Sequence, residues 1–174
     1  MKKNFGFGMM RLPMVGEEVD IPQTTAMVDA FLAAGFNYFD TAHPYIRGKS
    51  ELAIRECLTS RYSRDRYLLA NKLSGGCIEK EADILPFFHS QLEACGVDYF
   101  DFYLLHAVSE KQDLHFTKTR AYEAARQLKE QGLIRHIGIT NHQLAVAEEA
   151  VKSGLYETLQ FPFSYLSSDK EEAL

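Results

Sequence analysis

The sequence predicts an α/β protein: a barrel of the (β/α)8, or TIM-barrel, type, truncated to about its first five and a half to six β/α units. Short apolar segments alternate strictly with patterns of helical spacing, which is typical of a parallel sheet with helices packed against it. Complete barrels have about 250 residues, or roughly 31 per unit, so 174 residues correspond to about five and a half units. Residues 1–174 are therefore predicted to form one incomplete barrel domain.

The strands are predicted where aromatic and aliphatic residues cluster in short runs. A weaker first strand covers Phe5–Met9. Five stronger strands follow it, at Phe36–Asp40, Tyr67–Asn71, Tyr99–Leu105, Ile134–Ile139 and Glu157–Phe161. This count agrees with the number of units that the chain length allows.

The helices are predicted between the strands, where apolar residues recur every three or four positions. The clearest patterns begin at Met27, Ile84, Ala121 and Leu144, and residues 168–174 are predicted to begin a further helix. A glycine stands between each of the four patterns and the next strand, where a positive φ ends a helix without steric cost: Gly35, Gly96, Gly132 and Gly154. Pro86 predicts a later helix start or a kink in the second pattern.

A doubly wound nucleotide-binding sheet is the competing architecture. Such sheets often carry G-x-G-x-x-G directly after the first strand, where the chain approaches a pyrophosphate. Residues 6–11 read GFGMMR, with Arg11 in place of the third glycine, and no helical pattern follows directly. The barrel is therefore the preferred prediction.

Charge and cysteine content exclude several classes of protein. The chain has 19 Lys and Arg against 24 Asp and Glu, a net charge of −5, and no basic patch, so we expect no nucleic-acid partner. The three cysteines are far apart and form no CxxC pair, which argues against a disulfide framework, a metal site or an iron–sulfur cluster within these residues. No segment has the apolar length of a signal peptide or membrane span, so we expect no membrane partner and a cytoplasmic location.

Polar side chains stand at the ends of the predicted strands, where barrels of this type place their active sites. The intervals from position 40 to 72, from 72 to 106 and from 106 to 141 are 32, 34 and 35 residues, close to one β/α unit each. We therefore expect these side chains to converge at one mouth of the barrel. They are Asp40, Lys72, His106, Thr140, Asn141 and Gln160, with Tyr45 in the loop after Asp40.

Taken singly, most of these residues have simpler explanations. Asp40, Thr140 or Asn141 could cap a helix, and His106 could be a core histidine. Lys72 is more informative, because an amine that ends a buried strand must find a carboxylate or lose its charge. Asp40 is its expected partner.

Together these residues resemble the aldo-keto reductases. The resemblance rests on FDTAHPY followed by Gly48, Ser50 and Glu51, on Lys72 at a strand end, on DYFDFYLLH ending in His106, on GLIRHIGITN and on Gln160. The segments around HPY and CGVDYFDFYLLHA are most similar to a bacterial subgroup whose longer members carry a C-terminal ferredoxin-like iron–sulfur module. Residues 1–174 do not contain the cysteines of that module.

The resemblance implies a reductase that converts aldehyde and ketone carbonyls to alcohols. Tyr45 would be the general acid, Asp40 and Lys72 its electrostatic support, and His106 the group that orients the substrate carbonyl. Because a nearby ammonium favours a phenolate, we expect Lys72 to lower the pKa of Tyr45 toward the operating pH. A neutral His106 would hydrogen-bond the oxygen on which negative charge develops. No metal is required.

The resemblance also implies a nicotinamide cofactor, because no protein side chain supplies a hydride. NADP(H) is expected, with NAD(H) as the alternative. Thr140, Asn141 and Gln160 would hold its carboxamide, a group with one acceptor and two donors. Two departures from the family pattern concern this cofactor. Residues 163–165 read FSY where many members have Tyr-Asn, and the seventh and eighth strands, which commonly supply the phosphate site, are absent from these residues.

An incomplete barrel exposes two sheet edges and part of its apolar interior, so we expect self-association. We also expect the chain to be part of a longer enzyme, or to need a partner chain, and to be inactive by itself if neither is supplied.

Two other functions stay open at this stage. One is a barrel lyase in which Lys72 forms a Schiff base, although Asp40 would keep the amine protonated and the amides of Asn141 and Gln160 would have no role. The other is a non-catalytic binding or regulatory subunit, which a missing phosphate site favours and the complete set of reductase residues opposes.

Overall fold

Six parallel strands form a curled sheet, a half-barrel, in the computed structural model, which describes residues 5–163. The sheet order is β1-β4-β5-β6-β7-β8, so each strand pairs with the next one along the barrel. The strands are β1 (Gly6–Gly8), β4 (Tyr38–Asp40), β5 (Leu68–Leu73), β6 (Phe100–Val108), β7 (Ile134–Asn141) and β8 (Thr158–Gln160). All six predicted strands are confirmed, including the weaker first one.

The helices pack on the outer face of this sheet. They are α1 (Ile21–Ala33), α2 (Lys49–Ile54), α3 (Ile84–Cys95), α4 (Glu110–Lys118), α5 (Ala121–Glu130) and α6 (Leu144–Ser153). The four helices that the apolar spacing predicts are confirmed, and all four predicted glycines have positive φ. Pro86 is the third residue of α3, where its missing N–H has no intrahelical acceptor, so α3 begins at Ile84 and not later. The helix predicted over residues 168–174 lies outside the described residues.

The hairpin after β1, helix α2 with the turn that follows it, and helix α4 were not predicted. A small antiparallel hairpin, β2 (Met14–Val15) and β3 (Glu18–Val19), follows β1. Helix α2 continues directly into a π-helical turn, Arg55–Thr59. Helix α4 has Phe116 as its one buried side chain, so it lacks the apolar stripe that a helix packed along its whole length would show.

The strand alternation separates two environments. Side chains on the outer face, such as Phe39, Leu69 and Tyr103, are fully buried against the helices. Side chains on the inner face point into the half-barrel and line a cavity of about 580 Å³; they include Tyr38, Asp40, Phe102, Leu104 and Gln160. The polar residues that end the strands on this inner face therefore share one space.

No helix in the described part of the chain is long and apolar enough to cross a membrane.

Candidate active site

Lys72 and Asp40 form an ion pair at the carboxyl ends of β5 and β4. The Lys72 Nζ donates to Asp40 Oδ1 at 2.6 Å and to the Thr41 carbonyl at 2.7 Å. Both side chains are buried, Lys72 with 1% and Asp40 with 7% of its surface exposed. Burial raises the pKa of Asp40 and lowers that of Lys72, and in each case the charge of the partner opposes the shift. The partner that sequence analysis expected for Lys72 is thus present.

Tyr45 and His106 lie next to this pair. The Lys72 Nζ is 4.8 Å from the centroid of the Tyr45 ring, a cation–π contact. The Tyr45 and His106 rings meet edge to face with their centroids 5.8 Å apart. The structure therefore brings together all four residues that the sequence proposes for catalysis: Asp40, Tyr45, Lys72 and His106.

The backbone directly after Tyr45 is strained. Ile46 has φ 50° and ψ 40°, and Arg47 has φ 55° and ψ 42°, so both non-glycine residues are left-handed. Such a conformation costs about 1–3 kcal/mol per residue and is unusual for a β-branched side chain. Lys49 follows this turn and binds the hairpin, donating to the Glu17 carbonyl and to Glu18 at 2.6 Å each. The hairpin therefore anchors the turn that presents Tyr45.

The expected effect of Lys72 on Tyr45 was wrong. Burial, with a further contribution from the negative charge of Asp40, raises the pKa of Tyr45 to about 12. Lys72 already donates to Asp40 and Thr41, and its charge is paired with the carboxylate. Tyr45 is consequently a phenol throughout the neutral range, which is the form that donates a proton.

His106 is neutral at neutral pH. Burial lowers its pKa to about 4, and the charges of Lys72 and His142 act in the same direction. Its Nδ1 lies 2.7 Å from the Ser74 hydroxyl oxygen. A neutral imidazole has one donor and one acceptor nitrogen, so His106 can donate from one nitrogen while the other accepts.

A bulge lies next to His106, close to the end of β6. The pairing with β7 shifts register between Leu105 and Val108, and Ala107 has a φ of 52°. The Ala107 N–H donates to the Thr140 Oγ1 at 2.7 Å. Thr140 therefore holds the backbone next to His106, a contact that the sequence did not indicate.

Asn141 suits a ligand with amide chemistry. It ends β7, has 1% of its surface exposed, and neither its Oδ1 nor its Nδ2 has a hydrogen-bond partner among residues 5–163. Buried polar atoms normally have partners, so this amide fits a group that supplies both a donor and an acceptor, as a carboxamide does. Gln160 pairs with Thr140 in the β7–β8 register and lies close enough to Asp40 to lower the pKa of that carboxyl. Of the FSY segment, residues 164 and 165 lie outside the described residues.

A buried polar network lies behind Lys72, and sequence analysis missed it. Glu51 Oε1 accepts from Asn71 at 2.9 Å and from Gln91 at 3.0 Å, and Glu51 Oε2 lies 2.8 Å from His43 Nδ1. Asn71 Oδ1 accepts the Lys72 N–H at 2.8 Å, and Gln91 donates to the Lys72 carbonyl at 3.1 Å. Two side chains that bind Glu51 thus also hold both backbone groups of Lys72.

A pair of buried hydroxyls holds the loop after β4, whose Thr41 carbonyl accepts from Lys72. The Thr41 and Ser50 hydroxyl oxygens are 2.7 Å apart, and Ser50 donates to the Met9 carbonyl at 2.9 Å. Ser50 and Glu51 both belong to the motif that carries the family resemblance. That motif was the one sequence signal that could have indicated the contacts of these two residues. No group of three or more His, Cys, Asp and Glu side chains within the described range could hold a metal ion.

Comparison with known proteins identifies the family. The family model described as "Aldo/keto reductase family" matches residues 4–174. The chain belongs to the aldo/keto reductase family. The resemblance seen in the sequence is thereby confirmed at the level of the family.

Individual aldo/keto reductases show the same relation. The chain is 28% identical to the uncharacterized oxidoreductase YqkF of Bacillus subtilis, over 97% of this chain and 55% of that protein. The holo form of an aldo-keto reductase from Bacillus halodurans superposes with a TM-score of 0.79 at 28% identity, over 96% of this chain and 55% of that one. An aldo/keto reductase from Klebsiella pneumoniae, in complex with NADP and acetate, gives a TM-score of 0.76 at 25% identity, over 97% and 57%. The chain spans about half the length of these relatives, and its half-barrel corresponds to part of their (β/α)8 fold.

Proposed function

We propose that this chain carries the catalytic residues of an NADPH-dependent reductase that converts aldehyde or ketone carbonyls to alcohols. The observation that supports this most strongly is the chain of contacts at the strand ends: Lys72, buried and paired with Asp40, lies over the Tyr45 ring, and Tyr45 meets the His106 ring edge to face. In this proposal residues 1–174 act as one incomplete barrel domain.

Tyr45 would donate the proton. A bound nicotinamide would supply the hydride for the carbonyl carbon, so the site must accommodate negative charge on the carbonyl oxygen. With a pKa near 12, the Tyr45 hydroxyl holds its proton until that charge appears. The ammonium of Lys72 over the ring stabilises the negative charge that the phenol then acquires.

His106 would hold the carbonyl oxygen in place. Its neutral imidazole can donate one hydrogen bond to that oxygen without adding a competing positive charge beside Lys72. The oxygen would then lie between the Tyr45 hydroxyl and a nitrogen of His106, whose rings already meet edge to face.

Asn141 and Gln160, with the Thr140 hydroxyl, would hold the carboxamide of the cofactor. The unpartnered amide of Asn141 supports this assignment, and the Klebsiella relative in complex with NADP favours NADP(H) over NAD(H). NAD(H) remains the alternative that a direct comparison of the two cofactors tests.

The Schiff-base lyase gains no support from the amine's environment. Lys72 Nζ donates to Asp40 and to the Thr41 carbonyl, and a protonated, doubly hydrogen-bonded amine is a poor nucleophile. A non-catalytic subunit would have the same arrangement of side chains. Only a measurement of carbonyl reduction distinguishes it from a reductase.

The test uses the purified chain with its barrel completed by further strands or by a partner chain. It measures oxidation of NADPH with a panel of aldehydes and ketones, in parallel with borohydride trapping and mass spectrometry. Carbonyl-dependent NADPH oxidation without an adduct on Lys72 supports the reductase. An adduct on Lys72 would establish the lyase instead. Binding of NADPH, followed by quenching of its fluorescence or by calorimetry, without turnover of any carbonyl would favour the binding subunit.

A further inference from the structure

Ser74 lies directly opposite His106 across two neighbouring strands. The β5–β6 register pairs Leu73 with Leu105, so the next position on each strand brings Ser74 and His106 together. Ser74 has 6% of its surface exposed, and its Oγ is 2.7 Å from His106 Nδ1. The Ser74 carbonyl accepts the Cys77 N–H at 2.9 Å, which holds the backbone of Ser74 in a tight turn. The serine is thus fixed both at its backbone and at its hydroxyl.

We propose that Ser74 is a positioning residue that selects the tautomer of His106, by donating its hydroxyl proton to Nδ1 so that Nε2 carries the hydrogen. This inference rests on the proposed reductase function for its catalytic meaning. It assigns Nε2–H as the donor to the substrate carbonyl oxygen. The opposite tautomer would present an acceptor lone pair to that oxygen and repel it.

The direction of the bond follows from the hydrogen-bonding capacity of the two groups. A serine hydroxyl has one hydrogen to donate, and within residues 5–163 the Ser74 Oγ has His106 as its hydrogen-bond partner. If Nδ1 were the donor, the Ser74 hydrogen would lie buried without an acceptor among residues 5–163, which is unfavourable. If the serine donates, both groups are satisfied and Nε2–H is left free for a ligand.

The surroundings of His106 exclude the doubly protonated form that would make the choice of tautomer irrelevant. Lys72 faces the ring from β5, Tyr45 from the loop after β4, and His142 from the segment after β7. The positive charge on Lys72 opposes a second positive charge on His106, and Tyr45 stays a neutral phenol. A neutral imidazole therefore needs one partner to fix its tautomer, and Ser74 is in the position to do so.

The direct test is the tautomer itself, read from long-range proton–nitrogen correlation spectra of chain labelled with ¹⁵N-histidine at neutral pH. The His106 signals are those absent from the spectrum of His106→Gln. In the unsubstituted protein we expect Nδ1 to show the shift of an unprotonated acceptor and Nε2 that of a protonated donor. A protonated Nδ1 in this spectrum would overturn the proposal without any variant of Ser74.

Substitutions then test the cause. Ser74→Ala removes the donor, so the two nitrogen shifts should move toward each other as the tautomers exchange, whereas Ser74→Thr keeps the hydroxyl and the original pattern. An unchanged pattern in a folded Ser74→Ala would also overturn the proposal. Ser63→Ala, at an exposed serine, is the matched control and should leave the His106 signals unmoved.

Kinetics separate this inference from the proposed function. Ser74→Ala should lower kcat for carbonyl reduction about tenfold, because the hydrogen bond that selects the His106 tautomer is lost. The KM for NADPH should stay unchanged within about twofold. Absence of turnover in a barrel completed by further strands or by a partner chain would contradict the reductase proposal, while the spectra of the chain alone would still decide which nitrogen of His106 is protonated. Full kcat in a Ser74→Ala protein with mixed tautomers would contradict the catalytic role given to the tautomer.

Discussion

The ammonium of Lys72 lies over the face of the Tyr45 ring, 4.8 Å from its centroid, while its hydrogen bonds go to Asp40 and the Thr41 carbonyl. The cation therefore contacts the aromatic face and at the same time remains paired with a carboxylate. Burial, with the negative charge of Asp40, keeps Tyr45 protonated at rest, and the Lys72 ammonium lies beside the ring for the moment when the proton leaves.

In the completed barrel, Tyr45→Phe should abolish most of the carbonyl reduction. The substitution keeps the ring over which Lys72 lies and removes the proton donor, so we expect kcat to fall roughly 10²–10⁴-fold. Binding of NADPH, measured by fluorescence quenching, should stay within about twofold, because the phenol is not assigned to the cofactor. Tyr122→Phe, on α5, is the control and should keep its activity. Parental turnover in Tyr45→Phe would refute the role of Tyr45.

His106 should make the chain less stable in mild acid. Its pKa in the folded state is about 4, below the reference value of 6.5, so the unfolded state binds more protons between these two values. The free energy of unfolding should therefore fall as pH drops from about 6.5 to 4, by up to about 3 kcal/mol. Urea unfolding of the unsubstituted chain and of His106→Gln across this range measures the difference. The other titratable groups are present in both proteins, so the difference between their two stability curves reports His106. Two curves that stay parallel between about pH 4 and 6.5 would contradict the lowered pKa of His106.

Gln91→Leu should destabilise the fold, because Gln91 belongs to the buried polar network that holds the Lys72 backbone. Gln91 donates to Glu51, to Asn71 and to the Lys72 carbonyl, and accepts from Tyr103 at 2.5 Å. Leucine leaves these buried groups with fewer partners, at a cost of about 2–4 kcal/mol for the network. Chemical denaturation measures this change. Gln131→Leu, at an exposed position, is the control and should change stability by less than about 0.5 kcal/mol.

We propose that the chain self-associates through the two outer strands of its half-barrel. β1 and β8 each pair on one side only within the described residues, and exposed apolar side chains lie at or next to them: Phe5, Leu159 and Phe163. Sedimentation velocity should show mass that rises with concentration. Leu159→Lys should shift the distribution toward monomer, because a charged edge opposes strand pairing. A stable, folded monomer of the unsubstituted chain would contradict this proposal.

Sequence patterns predicted the elements whose packing depends on a long apolar face. Strands β4 to β7 and helices α1, α3 and α5 bury two or more side chains each, and the spacing of Asp40, Lys72 and His106 predicted their convergence. The hairpin was missed because it consists of two-residue strands, which give no periodicity, and Lys49 anchors it from a distant part of the chain.

The electrostatic state of the site could not be predicted in the same way. Desolvation dominates the pKa values of Tyr45 and His106, and desolvation depends on how the loops close over a side chain. Ser74 was likewise overlooked, although it directly follows β5 with an extended backbone, two residues after Lys72, and this spacing places both side chains on the same face. Its role became visible only through the register with β6.

The unpaired amide of Asn141 has a consequence for heat resistance. Within residues 5–163 its buried donor and acceptor have no partners, which lowers stability, and a molecule that satisfies both should raise the melting temperature. Nicotinamide mononucleotide, which lacks the second nucleotide and its phosphates, should therefore give a small concentration-dependent rise in calorimetry, and Asn141→Leu should abolish it. The melting temperature would then report binding at Asn141 even where the rest of a dinucleotide binds weakly.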